Sequence, residues 1–200
     1  MKPDAAIPRV SPAVATVLVV LLLAVVAAGL WLVMSRPSDG PDLPRLGAAP
    51  EFTLVSEQGK TVTRADLDGR VWIADFIFTR CGGSCPILSA RMAALAERTA
   101  AVPAIRFVSF GVDPEYDTPE ILAEYGRKLG ADPARWTFLH GERPGIRALI
   151  KDGFKLAIED GVADSVEPIL HSTRFVLVDG EGTIRGMAAS GFTASSSGCG

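Results

Sequence analysis

Hydrophobic positions fall into two regimes along the chain. Val14 to Met34 is an apolar run of 21 residues broken only by Thr16 and Gly29, and a helix of about 20 apolar residues suffices to cross a bilayer. From Glu51 onwards the apolar residues come instead in short bursts with a period of two or near 3.6, the signatures of strands and amphipathic helices. Phe52 to Val55 and Thr61 to Thr63 flank Glu57-Gln58-Gly59-Lys60 and predict a hairpin. Val71 to Phe78, VWIADFIF, is apolar on both faces and predicts a central strand covered by helices on each side. Helices are predicted over Pro86 to Thr99, Pro119 to Leu129 and Pro144 to Lys151, and strands over Ile105 to Val112, Trp136 to His140, Phe154 to Ile158, Arg174 to Val178 and Thr183 to Gly186. Strands alternating with helices and closed by a hairpin imply an α/β three-layer fold with a mixed sheet.

The flanks are simpler. Residues 1–13 form a short polar tail that carries Lys2 and Arg9, and 14–34 predict an uncleaved transmembrane anchor. Lys2 and Arg9 before the span nearly balance Arg36 and Arg45 after it, so the shortness of the tail sets the orientation, with the domain outside the cytoplasm. Residues 35–50 hold Pro37, Pro41, Pro44 and Pro50 and read as a stiff tether to a domain spanning 51–187. A Ser/Gly-rich tail, 188–200, lacks the periodicity of a further helix and contains Cys199, which no predicted element fixes in place.

Charge removes one class of partner. With 20 Lys plus Arg against 23 Asp plus Glu, the chain has no basic excess to collect phosphates, so nucleic acid is not an expected ligand. Three cysteines and two histidines confine any thiol or metal chemistry to a few positions.

Cys81-Gly82-Gly83-Ser84-Cys85-Pro86 lies between the carboxyl end of the central strand and the next helix, the edge at which open α/β sheets bind ligands. Two cysteines four apart near a helix start can form a disulfide or clamp one metal ion, and the helix N-terminus favours the thiolate that either chemistry needs. A structural disulfide is the plain alternative. His171, just before the strand Arg174 to Val178, can reach both sulfurs if that strand neighbours Val71 to Phe78; His140 reads as structural. Asp75 interrupts the apolar central strand and Asp113 begins the turn Asp113-Pro114-Glu115, each either a local hydrogen-bonding residue or part of the thiol site.

Phe78-Thr79-Arg80-Cys81, the CxxxC-Pro of Cys81 to Pro86, Val112 to Glu120 (VDPEYDTPE), and His171-Ser172-Thr173 before Phe175 to Gly180 together resemble the Sco/SenC family over about Pro50 to Gly186. The resemblance implies a membrane-anchored, thioredoxin-like three-layer α/β/α sandwich with a mixed central sheet. It also implies a copper-binding protein that helps to assemble the copper A centre of cytochrome c oxidase. Carried over by position, Cys81, Cys85 and His171 correspond to the copper ligands and Asp113 to an acidic residue near the site. Asp75 has a spacing to Cys81 similar to that of the buried carboxylate of thioredoxins. Gly82 stands where the family often has proline. The expected partner is the copper-bearing subunit of cytochrome c oxidase or another membrane-bound cuproprotein, and the expected location is the periplasmic side of the inner membrane. The rival expectation is a thiol-disulfide oxidoreductase in which Cys81 attacks, Cys85 resolves and Asp75 accepts the proton.

Overall fold

Strand β4 (Trp72–Ile77) lies in the middle of the sheet, and its alternation explains the layers on either face of it. The structure, a computed structural model, describes residues 12–34, 43–80, 85–160, 169–171 and 173–189, with backbone alone at 12, 15, 30, 32–34, 85, 160 and 169–171. The chain divides into two units between Asp42 and Leu43. The first holds helix α1 (Pro12–Met34), 23 residues without a charge. Its described side chains run unbroken only over 16–29, and among the described residues no helix is long and apolar enough to cross a membrane. A helix stands where the sequence predicts one.

The second unit is built on an eight-stranded mixed sheet in the order β1-β10-β9-β4-β5-β6-β2-β3, from β1 (Gly47–Ala48), β2 (Thr53–Ser56), β3 (Thr61–Thr63), β5 (Arg106–Gly111), β6 (Trp136–His140), β9 (Arg174–Val178) and β10 (Thr183–Ala189). Strands β4, β5 and β6 are parallel, whereas β9 runs antiparallel to β4 with Trp72 opposite Val178 and Ala74 opposite Val176. Helix α2 (Cys85–Arg98) connects β4 to β5, and α3 (Pro119–Lys128) connects β5 to β6. Both helices cover one face, where Leu88, Met92 and Leu122 pack with Ile77, Phe107, Trp136 and Phe138. On the other face Trp72, Phe76 and Phe110 meet Phe154 and the helix α4 (Arg143–Ala148), which delivers Ile146. Three layers and a mixed sheet result, as the sequence predicts.

Local chemistry sets the boundaries. Thr118 caps α3 and Pro119 opens it, where the missing N–H leaves no bond unmade. Within α3, Gly126 is required by contact rather than conformation: a Cβ there would lie 2.6 Å from Cε2 of Phe138.

Three expectations are corrected. The helix predicted to Lys151 changes pitch after α4 into a π-helical turn, Leu149–Gly153. The strand predicted over Phe154 to Ile158 does not form, because Phe154 and Leu156 donate their N–H groups back to the carbonyls of Leu149 and Ile150. Lys155 between them takes a left-handed φ of 57°, incompatible with an extended strand. Only β7 (Ile158–Asp160) is extended, and it pairs with β8 (Ile169–His171) in a separate two-stranded ribbon. Finally, Gly47 and Ala48, in the stretch read as tether, pair with Ile184 and Thr183 and join the sheet, while β10 runs on to Ala189.

Candidate metal centre

The parallel strands β4, β5 and β6 all end at one edge of the sheet, and from this edge depart the segments that carry the candidate chemistry. Thr79 and Arg80 follow β4, Asp113 to Asp117 follow β5, and His140 ends β6. Cys85 opens α2 at the same edge, its backbone described and its side chain not. Cys81 and Cys199 lie outside the described residues. The chain enters β9 beside the carboxyl end of β4, because β9 is antiparallel to it. Three steps before Arg174, the backbone of His171 therefore lies within roughly 11 Å of that residue's Cα. The condition set on the sequence, that the strand after His171 neighbour the central strand, is met. Among the described residues no group of three His, Cys, Asp or Glu could hold a metal ion.

The described part of the edge is a network of two buried carboxylates. Asp113, with no exposed surface, accepts a hydrogen bond from Arg80 Nε at 2.6 Å on Oδ2, and Arg143 Nη2 lies 3.7 Å from Oδ1. The Arg80 guanidinium, half exposed, lies over the ring of Tyr116 at 5.3 Å. Arg143 is itself fixed by Glu115, which accepts from its Nε at 2.7 Å. Asp117, also fully buried, accepts on Oδ1 both the N–H of Thr79 at 3.0 Å and its hydroxyl at 2.7 Å. Burial pushes the Asp117 carboxyl above its ordinary range, an effect that the Thr79 bonds oppose. His140 Nδ1 lies 2.9 Å from the Asp117 carbonyl, which can only accept, so Nδ1 carries the proton. His140, read from the sequence as structural, is tied in this way to the loop after β5.

Asp75 occupies the face of β4 that α2 and α3 cover. Its Oδ1 accepts from Ser109 Oγ at 2.6 Å, and that hydroxyl accepts from Trp136 Nε1 at 2.9 Å. Oδ2 is buried with no partner among the described residues. Desolvation dominates, and the carboxyl is pushed up from 3.8 to about 7. A carboxyl that titrates near neutrality can hold or release a proton at working pH.

The sequence reading gave no role to Thr79, Arg80, Asp117, Ser109 or Trp136. Thr79, Arg80 and Asp117 do stand inside the motifs that carry the family resemblance, but their partners are 33 and 38 positions away, and no periodicity reports such pairings.

A mixed sheet with a cysteine pair at the point where its central strand hands over to a helix defines the thioredoxin-like class. Within that class the chain belongs to the SCO1/SenC family, whose family model, described as SCO1/SenC, matches residues 43–196. The SCO1 protein homolog of Bacillus subtilis (strain 168) is 33% identical over 135 residues, 66% of this chain and 69% of that one. Among solved structures, BsSco is described as a member of the Sco family of cytochrome c oxidase assembly proteins with a disulfide switch. It superposes with a TM-score of 0.65 at 31% identity over 74% of this chain and 86% of that chain. Arabidopsis thaliana ScoI with copper bound shares the fold, with a TM-score of 0.64 at 24% identity, covering 73% of this chain and 90% of that chain.

Proposed function

We propose that this protein is a membrane-anchored copper chaperone. Cys81, Cys85 and His171 take up copper and pass it by ligand exchange to the copper A centre of cytochrome c oxidase, or to another membrane-bound cuproprotein. The observation that carries this reading is topological: the end of β4, the start of α2 and the chain entering β9 meet at one sheet edge. Two thiolates and an imidazole form a soft, low-coordinate set suited to Cu(I), whereas Zn²⁺ ordinarily takes a fourth ligand. Family membership supports it, as do the assembly role described for BsSco and the copper held by Arabidopsis ScoI. Titration of the reduced full chain with Cu(I) against a chelator of known affinity tests the reading. One tightly held copper per chain, lost on Cys81→Ser or Cys85→Ser, is expected; no competition with the chelator by the wild type would overturn it.

Anchoring by Val14 to Met34, with the domain on the periplasmic side of the inner membrane, belongs to the same proposal. It is supported by the uncharged 23 residues of α1, along which Val17, Leu21, Val25 and Trp31 are all exposed. Carbonate-washed membranes from expressing cells should retain the full chain, and spheroplast proteolysis should remove its domain. Recovery of the chain in the soluble fraction, lacking residues before Gly29, would overturn it.

Asp75 favours a second reading, in which Cys81 and Cys85 reduce a disulfide of the acceptor. Two electrons and two protons leave the thiols, and a buried carboxyl titrating near 7 can take one of those protons.

A further inference from the structure

Residues 78–80 join the last strand position of β4 to Cys81, and buried carboxylates from the loop after β5 hold Thr79 and Arg80. Asp113 takes Arg80 Nε, an ion pair of ordinary kind. Asp117 is different. One of its oxygens collects both donors of Thr79, and its own N–H goes to the Asp113 carbonyl at 2.8 Å. Its carbonyl accepts from His140 Nδ1, so a single residue ties together the ends of β4, β5 and β6. Its second oxygen has no partner among the described residues. Burying such a group opposes folding, and a water molecule could serve a lone N–H beyond the end of a strand equally well. What the arrangement adds is a fixed backbone two residues ahead of the first cysteine. Ligand sets and thiol pairs tolerate displacements of only about 0.5 Å.

The geometry points to Asp117 as a positioning residue for the thiol site: through Thr79 it fixes where Cys81 stands relative to Cys85, and so sets both the affinity for a soft metal ion and the ease of forming the disulfide. The metal half of this inference rests on the proposed copper function. The disulfide half does not.

The full chain is therefore read in two assays. The first is competition for Cu(I) with a chelator. The second is equilibrium with dithiothreitol, in which the Cys81–Cys85 disulfide takes two electrons and two protons, leaving two thiols and the cyclic oxidised reagent. Thr79→Val keeps the shape and removes the hydroxyl; Thr79→Ser returns it. Changes around a metal site that leave the ligands in place weaken binding by ~10 to 100-fold. Thr79→Val is expected to lose at least the lower figure and to shift the dithiothreitol equilibrium, while Thr79→Ser matches the wild type in both assays. Asp117→Ala removes the acceptor instead of the donor and should shift both readouts in the same direction. The double variant should be no worse than Asp117→Ala alone, because one interaction is lost either way.

Ile184→Ala, in β10 and remote from Thr79 in the sheet, supplies a control that lowers stability without touching the network. If it moves the readouts as far as Thr79→Val does, the role is merely structural and the inference falls. It falls also if Thr79→Val and Asp117→Ala leave both readouts unchanged, or if Thr79→Ser fails to restore them. Should the wild type take no Cu(I), the copper function is what fails. The dithiothreitol equilibrium then decides this inference alone: a shift in Thr79→Val upholds it and none overturns it.

Discussion

Asp75 and Ser109 are register partners across the parallel strands β4 and β5, and the serine hydroxyl donates to the carboxyl at 2.6 Å in a place with no exposed surface. One hydrogen bond from a neutral group does not offset the desolvation of a carboxylate, so the folded protein holds the acid protonated to about pH 7.

The first prediction is a pH dependence. Between 3.8 and about 7 the folded state keeps a proton on Asp75 that the unfolded chain has released. Stability from this group is therefore greatest below that window and falls as pH rises through it, by at most roughly 4 kcal/mol. Asp75→Asn, neutral at every pH, should be more stable relative to the wild type at pH 8 than at pH 5, measured by urea unfolding. Parallel stability curves for the two proteins would refute the assignment.

The second prediction concerns the two histidines. His171→Ala should weaken Cu(I) binding at least as much as the ~10 to 100-fold typical of residues that only support ligands. The Cys81–Cys85 disulfide should still form, since thiol oxidation needs no imidazole. His140→Ala should keep the copper and lose about 1 kcal/mol of stability with the hydrogen bond to the Asp117 carbonyl. Chelator competition on both variants separates them; equal copper affinity in His171→Ala and the wild type would remove His171 from the site.

Arg80 and Asp113 give a third. Removing the guanidinium in Arg80→Met strands a carboxylate with no exposed surface, and Arg143 at 3.7 Å is too far for a full hydrogen bond. A loss of about 1 to 3 kcal/mol is expected. Adding Asp113→Asn should recover part of it, because the stranded charge is then gone. Additive losses in the double variant, followed by thermal unfolding, would contradict a direct pairing.

The fourth is steric. Gly126→Ala gains roughly 1 kcal/mol of helix propensity, yet its Cβ would meet the buried Phe138 ring at 2.6 Å and at 3.1 Å. Overpacking of this kind costs about 1 to 3 kcal/mol. The variant should unfold at a lower temperature than the wild type; a rise would show that the ring moves aside freely.

The parts of the fold that the sequence made legible are those where one local rule decides. Val71 to Phe78 is apolar on both faces and becomes the central strand; Thr118-Pro119 starts a helix by capping alone. The strand predicted over Phe154 to Ile158 failed because Phe154 and Leu156 are apolar for a different reason: both are buried side chains beneath the end of a helix, and Lys155 between them turns left-handed. The β7–β8 ribbon is three residues long on each side, too short for alternation to declare itself. At the candidate site, residue type and spacing single out the cysteine pair, and the family resemblance adds His171. The link from Thr79 to Asp117 is legible in neither, since it joins two turns 38 residues apart and exists only once β4 and β5 lie side by side.

The chain of hydrogen bonds from Trp136 through Ser109 to Asp75 also gives the protein an optical reporter of its own. The indole N–H is two bonds from a carboxyl whose charge changes near neutral pH, and a charge that close alters the energy of the excited indole. Fluorescence from Trp136 is expected to follow the proton on Asp75 without any added dye. Trp72 lies on the opposite face of the sheet against Phe154, apart from that chain, and together with Trp31 of α1 supplies the background against which the change is read.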